Sequence, residues 1–342
     1  MTRSLRIGVV GAGFAGRSAH LPAWALVPGA SVVAVCDIDP AARARAAAQA
    51  PGARLFADHR DLLSFGVDAV SVCTPNVSHF PVARAALEAG VHALVEKPVC
   101  VTPAEVRALG EAADARGLVL MARHQLRFDP EAGAVHARAS SLGRIVRVNA
   151  RALRRDRIPT TRGLTDAALA GGGAALDLGV HALDMALWLT GFPSRAGARV
   201  VATTRNAYGR GEVAGYRNHW GDWDRAGFTV EDGASAQVTF ADGAILSLEC
   251  AWAGAWSEAE EGTHCELIGE AGTLSWRAAA PSSRRLSSRP PPEFTAFAEA
   301  CRGLIPPPLP WRETVASLEI LDAVYRAARE QRPVEIRGRS LA

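Results

Sequence analysis

The amino-acid sequence predicts an α/β protein in two parts: a doubly wound parallel sheet over residues 1–123, then an α+β domain over residues 124–342 on an open, mainly antiparallel sheet. Three observations carry this reading. Strand-like apolar runs alternate with helical stretches through the first third of the chain, as parallel strands joined by crossover helices require. Beyond about Arg123, strand-like runs follow one another across tight turns, which joins antiparallel neighbours. A length of 342 residues is long for one hydrophobic core and comfortable for two.

Taken in order, Leu5–Val10 is a short apolar run ending in glycines, hence a buried strand, and Gly16–Leu26 is helical. Ser31–Cys36 is a β-branched strand, and Ala41–Ala50 is helical by its alanine and arginine content. Ala69–Cys73, Ala93–Glu96 and Leu118–Ala122 are further strands, separated by helices at Pro81–Ala89 and Thr102–Arg116. The second of these helices opens with Thr102 as N-cap, Pro103 at the first helical position and Glu105 close behind. In the second part, Arg144–Leu153 alternates apolar and polar residues as a half-buried strand does, and Ala174–Leu189 is a helix stopped by Gly191 and Pro193. Ala234–Phe240 and Ala244–Trp252 flank Ala-Asp-Gly, while Cys265–Ile268 and Thr273–Trp276 flank Glu-Ala-Gly, so both pairs read as hairpins. Pro281–Pro292 and Pro306–Pro310 are Pro-rich connections separated by a short helix, and a long helix follows at Arg312–Arg329.

Composition narrows the function classes. A formal charge of +3, from 38 basic and 35 acidic side chains, supplies no clustered positive surface for nucleic acid or an anionic membrane. No apolar run approaches membrane-spanning length, and Met-Thr-Arg-Ser-Leu-Arg leads straight into the first strand, so a cytoplasmic location is expected. The six cysteines (Cys36, Cys73, Cys100, Cys250, Cys265, Cys301) contain no CxxC pair, which argues for reduced thiols rather than zinc or a disulfide framework.

The sharpest motif is Gly11-Ala-Gly13-Phe14-Ala15-Gly16, a G-x-G-x-x-G that follows a strand and opens a helix. That is the Rossmann dinucleotide fingerprint. The first glycine permits the tight turn, the second lets the backbone approach a pyrophosphate, and the third lets helix and strand pack closely. Asp37, 21 residues past Gly16 at the end of the second strand, suits the adenosine ribose hydroxyls. An acid there repels a 2′-phosphate, so NAD is expected over NADP, although Arg43 and Arg45 lie close behind. The plainer role for Asp37 and Asp39 is turn formation before Pro40. Thr74-Pro75-Asn76 and Glu96-Lys97-Pro98 end the third and fourth strands on the same carboxyl edge, where ligands of such sheets bind. Thr74, Pro75, Asn76, His79, Glu96 and Lys97 therefore join the expected cofactor set. Asn76 and His79 also suit a simple helix start.

From the glycine loop through these two motifs to Gly171-Gly-Gly-Ala-Ala-Leu-Asp177-Leu-Gly-Val-His181, the chain resembles the glucose–fructose oxidoreductase / inositol dehydrogenase / rhizopine catabolism (Gfo/Idh/MocA) family. Val230-Glu231-Asp232 and Leu267-Ile-Gly-Glu-Ala-Gly272 look like its second domain. The resemblance implies an NAD(P)-dependent dehydrogenase or ketoreductase acting on a ring carbinol or ketone of a sugar, cyclitol or sugar derivative. It implies that Lys97 contacts substrate and nicotinamide ribose, and that Asp177 and His181 face the reacting hydroxyl. The family's open sheet commonly mediates dimers or tetramers. An uncovered sheet face otherwise exposes apolar surface, so a homodimer or homotetramer is expected here.

The residues support the same chemistry. Asp177 and His181 stand four apart on one helix face, and a histidine beside a carboxylate suits general acid–base work. His181 takes the hydroxyl proton in the oxidative direction, Lys97 stabilises the developing alkoxide, and Asp177 orients His181 or holds a neighbouring hydroxyl. An isolated Asp/His pair at this spacing is also a common structural hydrogen bond. Asp177, His181 and Asp184 have no further ligand cluster, so no metal is expected. Arg127 either reaches the substrate or forms a salt-bridged crossover. Arg154, Arg155 and Arg157 either grip a phosphate on the substrate or form a solvated loop. The segment Asn206–Phe228, rich in glycine, tryptophan and charge, would shape substrate choice if it lies near the pocket. Two other functions fit the same motifs: an NAD-dependent, redox-neutral glycoside hydrolase, and a non-catalytic dinucleotide-responsive binding protein.

Overall fold

The computed structural model describes residues 3–278 and 289–336, and its contacts divide the chain into two units. The first holds six strands: β1 (Leu5–Val10), β2 (Ala30–Cys36), β3 (Arg54–Phe56), β4 (Ala69–Val72), β5 (His92–Val95) and β6 (Leu120–Ala122). They form one sheet in the order β3-β2-β1-β4-β5-β6, every pairing parallel, which is the doubly wound arrangement the alternation predicts. Its centre is dry: Ile7, Val9, Val35, Val70, Val72, Leu94 and Val95 are fully buried. β3 and the helix His59–Ser64 are additions to the sequence reading. Three residues of strand are too few to show a period, and the one local signal was Asp58, whose carboxylate caps the helix through the Arg60 N–H at 2.8 Å.

The helix Pro292–Cys301 and the chain to Arg312 group with this first unit, although they follow the second part in sequence. Phe294 and Phe297 explain why. Both are fully buried, packed edge-on against Trp24 at 5.1 and 6.1 Å, and burying each contributes about 1.5–3 kcal/mol. Farther along, a Cβ on Gly110 would lie 2.0 Å from the Trp311 ring, so only glycine admits that side chain. The expected connection Pro281–Pro292 lies partly outside the described residues.

The second unit is a seven-stranded sheet of β7 (Ile145–Leu153), β8 (Arg199–Arg205), β9 (Gly233–Thr239), β10 (Ile245–Ala251), β11 (Gly262–Gly269), β12 (Gly272–Arg277) and β13 (Val334–Glu335). The order is β12-β11-β7-β10-β9-β8-β13, antiparallel throughout except for the β7–β10 pair. Both expected hairpins form, with Thr239 opposite Ile245 and Gly269 opposite Gly272. The helix Val180–Leu189 covers one face, packing on β7 and β11. The opposite face carries exposed Arg147 and half-buried Asn149, Arg151, Glu249, His264 and Glu266, so it is polar and not the apolar patch expected of an uncovered sheet. Among the described residues no helix is long and apolar enough to cross a membrane.

Candidate functional site

In the first unit the glycine loop behaves as its spacing predicts. Gly11 sits at φ +95°, and a Cβ there would meet the Cys73 and Thr74 backbone at 2.5–2.7 Å. A Cβ on Gly16 would stand 2.1 Å from the Gly11 carbonyl oxygen. Gly13 differs, because a Cβ there would meet nothing within 4 Å. No protein atom needs a glycine at that position, whereas a ligand approaching the backbone does. The loop then enters a wide π turn, Gly16–His20, before the helix Leu21–Trp24.

Asp37 fastens this loop and lies beside it. Its Oδ2 accepts from the Ala12 N–H at 2.7 Å and its Oδ1 from the Asp39 N–H at 2.9 Å, while the carboxylate stays partly exposed. Arg43 donates to the Asp37 carbonyl at 2.6 Å, and Arg45 lies 3.5 Å from Asp39. Asp39 caps the next helix through Ala41. Phe14 and Ile38 are 81 % and 89 % exposed on this loop and the strand end, apolar surface suited to an adenine ring. Sequence reading missed Ile38.

The next two loops are tied together by His79. Its ring is buried, with Nδ1 2.7 Å from the Pro98 carbonyl and Nε2 2.8 Å from that of Thr74, and burial pushes its pKa down. The ring thereby fastens the two loops to each other. Thr74 Oγ1 is buried and finds no hydrogen-bond partner among the described residues, Pro75 is exposed, and Asn76 is buried. Glu96 is buried too. Its Oε1 accepts from His20 Nε2 at 2.8 Å and from Arg123 at 2.9 Å, and Arg123 also reaches Glu293 at 3.2 Å. Burial raises the Glu96 carboxyl, but the His20 hydrogen bond and the Arg123 charge outweigh it and hold the group well below the ordinary carboxylate range. Glu96 is thus a permanent anion that anchors the loop carrying Lys97, which is itself partly exposed. His20 and Arg123 were not legible as its partners, being 76 and 27 residues away.

The second unit presents Asp177 and His181. The expected helix starts with a π turn, Ala175–Gly179, and continues as Val180–Leu189, so both residues stay on one side of it and both are partly exposed. Its start is held by Glu231. The carboxylate accepts from the Gly173 and Ala175 N–H groups at 3.0 and 2.9 Å and from the Tyr325 hydroxyl at 2.8 Å, and the Glu231 carbonyl takes the Ala174 N–H. A Cβ on Gly173 would lie 2.0 Å from that carbonyl oxygen, which accounts for glycine there. Asp177 Oδ2 accepts from the buried Trp252 indole N–H at 2.8 Å. The His181 ring meets His124 edge-on at 6.2 Å, and buried His124 lies 3.6 Å from Asp184. Trp252 and His124 are the neighbours of this pair that sequence reasoning missed.

Arg127 takes the second of the two forms open to it in the sequence, the salt-bridged crossover. It is buried, with Nε and Nη2 on Asp184 at 2.8 and 2.5 Å and Nη1 on Glu313, so its guanidinium is spent on a salt-bridged crossover and not on substrate. Asp184 is accordingly a structural anion. Burial raises it, and the Arg127 and His124 charges bring it below its ordinary value. Arg154 donates to the Leu153 carbonyl at 2.8 Å, and burial and the Arg157 charge lower its pKa while the Asp177 charge raises it, so it lies in the field of Asp177. Arg155 and Arg157 stand 3.6 and 3.8 Å from Glu258 and Glu261. Among the described residues no group of three or more His, Cys, Asp or Glu is placed to hold a metal ion.

The open approach at Gly13 and the orphaned Thr74 hydroxyl fit a dinucleotide. Comparison with known proteins agrees. Residues 5–124 match the family model for the NAD-binding Rossmann fold of the GFO/IDH/MocA oxidoreductases, and residues 136–275 match the family's C-terminal domain. The chain is 35 % identical over 258 residues to D-glucoside 3-dehydrogenase of Escherichia coli K12, covering 74 % of this chain and 72 % of that protein. It is 33 % identical to a putative UDP-kanosamine synthase oxidoreductase subunit of Amycolatopsis mediterranei S699, over 90 % of this chain and 84 % of that one. Among solved structures, GenD2 from gentamicin A biosynthesis, in complex with NAD, superposes with a TM-score of 0.81 at 27 % identity, covering 99 % and 98 % of the two chains.

Proposed function

The chain belongs to the GFO/IDH/MocA oxidoreductase family, and on that premise we propose that it moves a hydride between a nicotinamide dinucleotide and a ring carbinol or ketone of a sugar, cyclitol or sugar derivative. The observation that carries the reading is the Asp177/His181 pair on one helix side, with Asp177 held by the Trp252 indole, in a chain whose other unit offers a glycine loop with an open approach at Gly13.

When bound, the nicotinamide accepts or supplies the hydride at the carbinol carbon. His181 takes the hydroxyl proton in oxidation and returns it in reduction. Lys97 donates to the same oxygen and stabilises charge developing there, and Asp177 orients the hydroxyl or its neighbour. The Glu96 anion, clamped by His20 and Arg123, fixes the backbone from which Lys97 extends. Asp37 prefers the ribose hydroxyls of NAD, because a 2′-phosphate would meet its carboxylate. Arg154, in the field of Asp177, is the arginine of its run best suited to a polar substrate group. A homodimer or homotetramer, as the family resemblance implies, completes the proposal, and six unpaired cysteines suit the cytoplasm.

The test is nicotinamide absorbance with a panel of cyclitols, sugars and glycosides, NAD and NADP run separately, and His181→Ala as control. Steady NADH formation with one polyol, lost in the variant, is expected. Aglycone release from a glycoside without net NADH would replace this proposal with a redox-neutral hydrolase.

A further inference from the structure

Asp177 sits at a junction that the proposed chemistry does not explain. Its carboxylate is gripped by an indole N–H 75 residues away, and the indole belongs to a tryptophan that is almost completely buried. Behind that indole lies an apolar cluster. Phe228 meets Trp252 edge-on at 6.2 Å, Trp223, Val230 and Ile158 are buried with them, and Tyr208 and Tyr216 pack against the group. Three of these aromatics, Tyr208, Tyr216 and Trp223, come from the segment 206–228, and Phe228 closes it.

The segment is also pinned by polar bonds. The Trp223 indole N–H donates to the Gly209 carbonyl at 2.6 Å, and the Gly209 N–H donates to Asp232 at 2.8 Å. Asn218 reads both backbone groups of Ile158, its Oδ1 accepting and its Nδ2 donating at 2.9 Å. This packs the segment against the residue whose indole donates to Asp177 Oδ2. The carboxylate cannot turn without giving up the Trp252 bond, and Trp252 cannot move without disturbing the packed aromatics.

We propose that Trp252 is a positioning residue for Asp177, and that the segment 206–228, acting through Trp252, sets which ring hydroxyl arrangement the site accepts. The proposal rests on the reading that Asp177 serves the reacting polyol. A hydroxyl on the reacting carbon or its neighbour is distinguished from its epimer by the direction of the carboxylate that receives it. Fixing one carboxylate oxygen from behind fixes that direction.

A double-mutant cycle with Trp252→Phe and Asp177→Asn tests this, using the full chain and the best polyol of the panel above. Trp252→Phe keeps a ring on Phe228 and loses the N–H. It should lower kcat/KM by about ten- to a hundred-fold, the loss expected for a hydrogen bond to a charged group. It should also shrink the preference for that polyol over its epimer, with NADH binding close to wild type and the apo-protein losing some stability to the cavity the smaller ring leaves. The double variant should be no worse than Asp177→Asn alone. If Trp252→Phe does not fold, Phe228→Leu, which loosens the seat of the indole, carries the same cycle and should lose less in the same direction. Wild-type kcat/KM in Asp177→Asn would overturn the reading of Asp177 itself. Impairment of Asp177→Asn alone, or losses that multiply in the double variant, would overturn only the positioning role. An unchanged epimer preference in the impaired Trp252 variant would remove the segment's role in selection.

Discussion

Gly13→Ala and Gly16→Ala separate binding from folding within one motif. A methyl group at position 13 meets no atom within 4 Å, and Gly13 is not at positive φ, so apo stability should stay within about 1 kcal/mol of wild type. The methyl then stands where the pyrophosphate approaches, and crowding of that kind costs about 1–3 kcal/mol, or roughly ten- to a hundred-fold in NAD affinity. Linkage makes the loss visible in unfolding curves. At NAD a hundred times the wild-type Kd, binding adds about 2.7 kcal/mol to wild type, and in the variant the same concentration should add only about 0.4–1.4 kcal/mol. Gly16→Ala should do the reverse. Its Cβ would lie 2.1 Å from the Gly11 carbonyl oxygen, a backbone atom that cannot simply turn aside, so the apo-protein itself should lose about 1–3 kcal/mol. NADH fluorescence titration and chemical denaturation with and without NAD provide the measurements. Unchanged NAD affinity in Gly13→Ala would refute the assignment of the open approach to the dinucleotide, and a wild-type apo stability in Gly16→Ala would refute the packing argument.

Asp37→Ser removes the carboxylate that also holds the Ala12 N–H, so the NAD-over-NADP ratio of kcat/KM should fall at least about ten-fold, and an unchanged ratio would reject the acid as the discriminator. Arg127→Met should cost about 3–5 kcal/mol by stranding the buried Asp184, with KM little changed in whatever protein folds; a raised KM at full stability would return Arg127 to the substrate. His20 and His79 are buried with pKa values pushed below 6.5 by burial, so the unfolded chain binds protons there that the folded chain does not. Their contribution is therefore present above pH 6.5 and lost as pH falls below it, so the melting temperature should drop between pH 7.5 and 5.5; a flat melting temperature over that range would contradict this.

Much of this molecule was legible because its signals are local. A glycine loop directly after a strand, an acid at the end of the next strand and alternation of strand with helix all depend on neighbours a few residues away. The Asp177–His181 spacing is equally local, and the π turn that shifts it still leaves both residues on one side. What tertiary structure decided is the partner of every buried polar group. Arg127 had two readings of equal merit until Asp184 and Glu313 were brought to it. His79 sat beside a helix start, and only the return of Pro98 turned its ring into a clasp. An uncovered sheet face was expected to expose apolar surface, yet the alternation along β7 places Arg147, Asn149 and Arg151 upon it. The sequence by itself therefore determined the alternating strands and helices of the first unit, the two hairpins of the second and the residue types that line the cofactor loop, while strands as short as β3 escaped it. Which indole holds Asp177, which carboxylate caps its helix and which unit receives Phe294 were decided by long-range packing, because a buried donor or aromatic ring finds its partner in space and not along the chain.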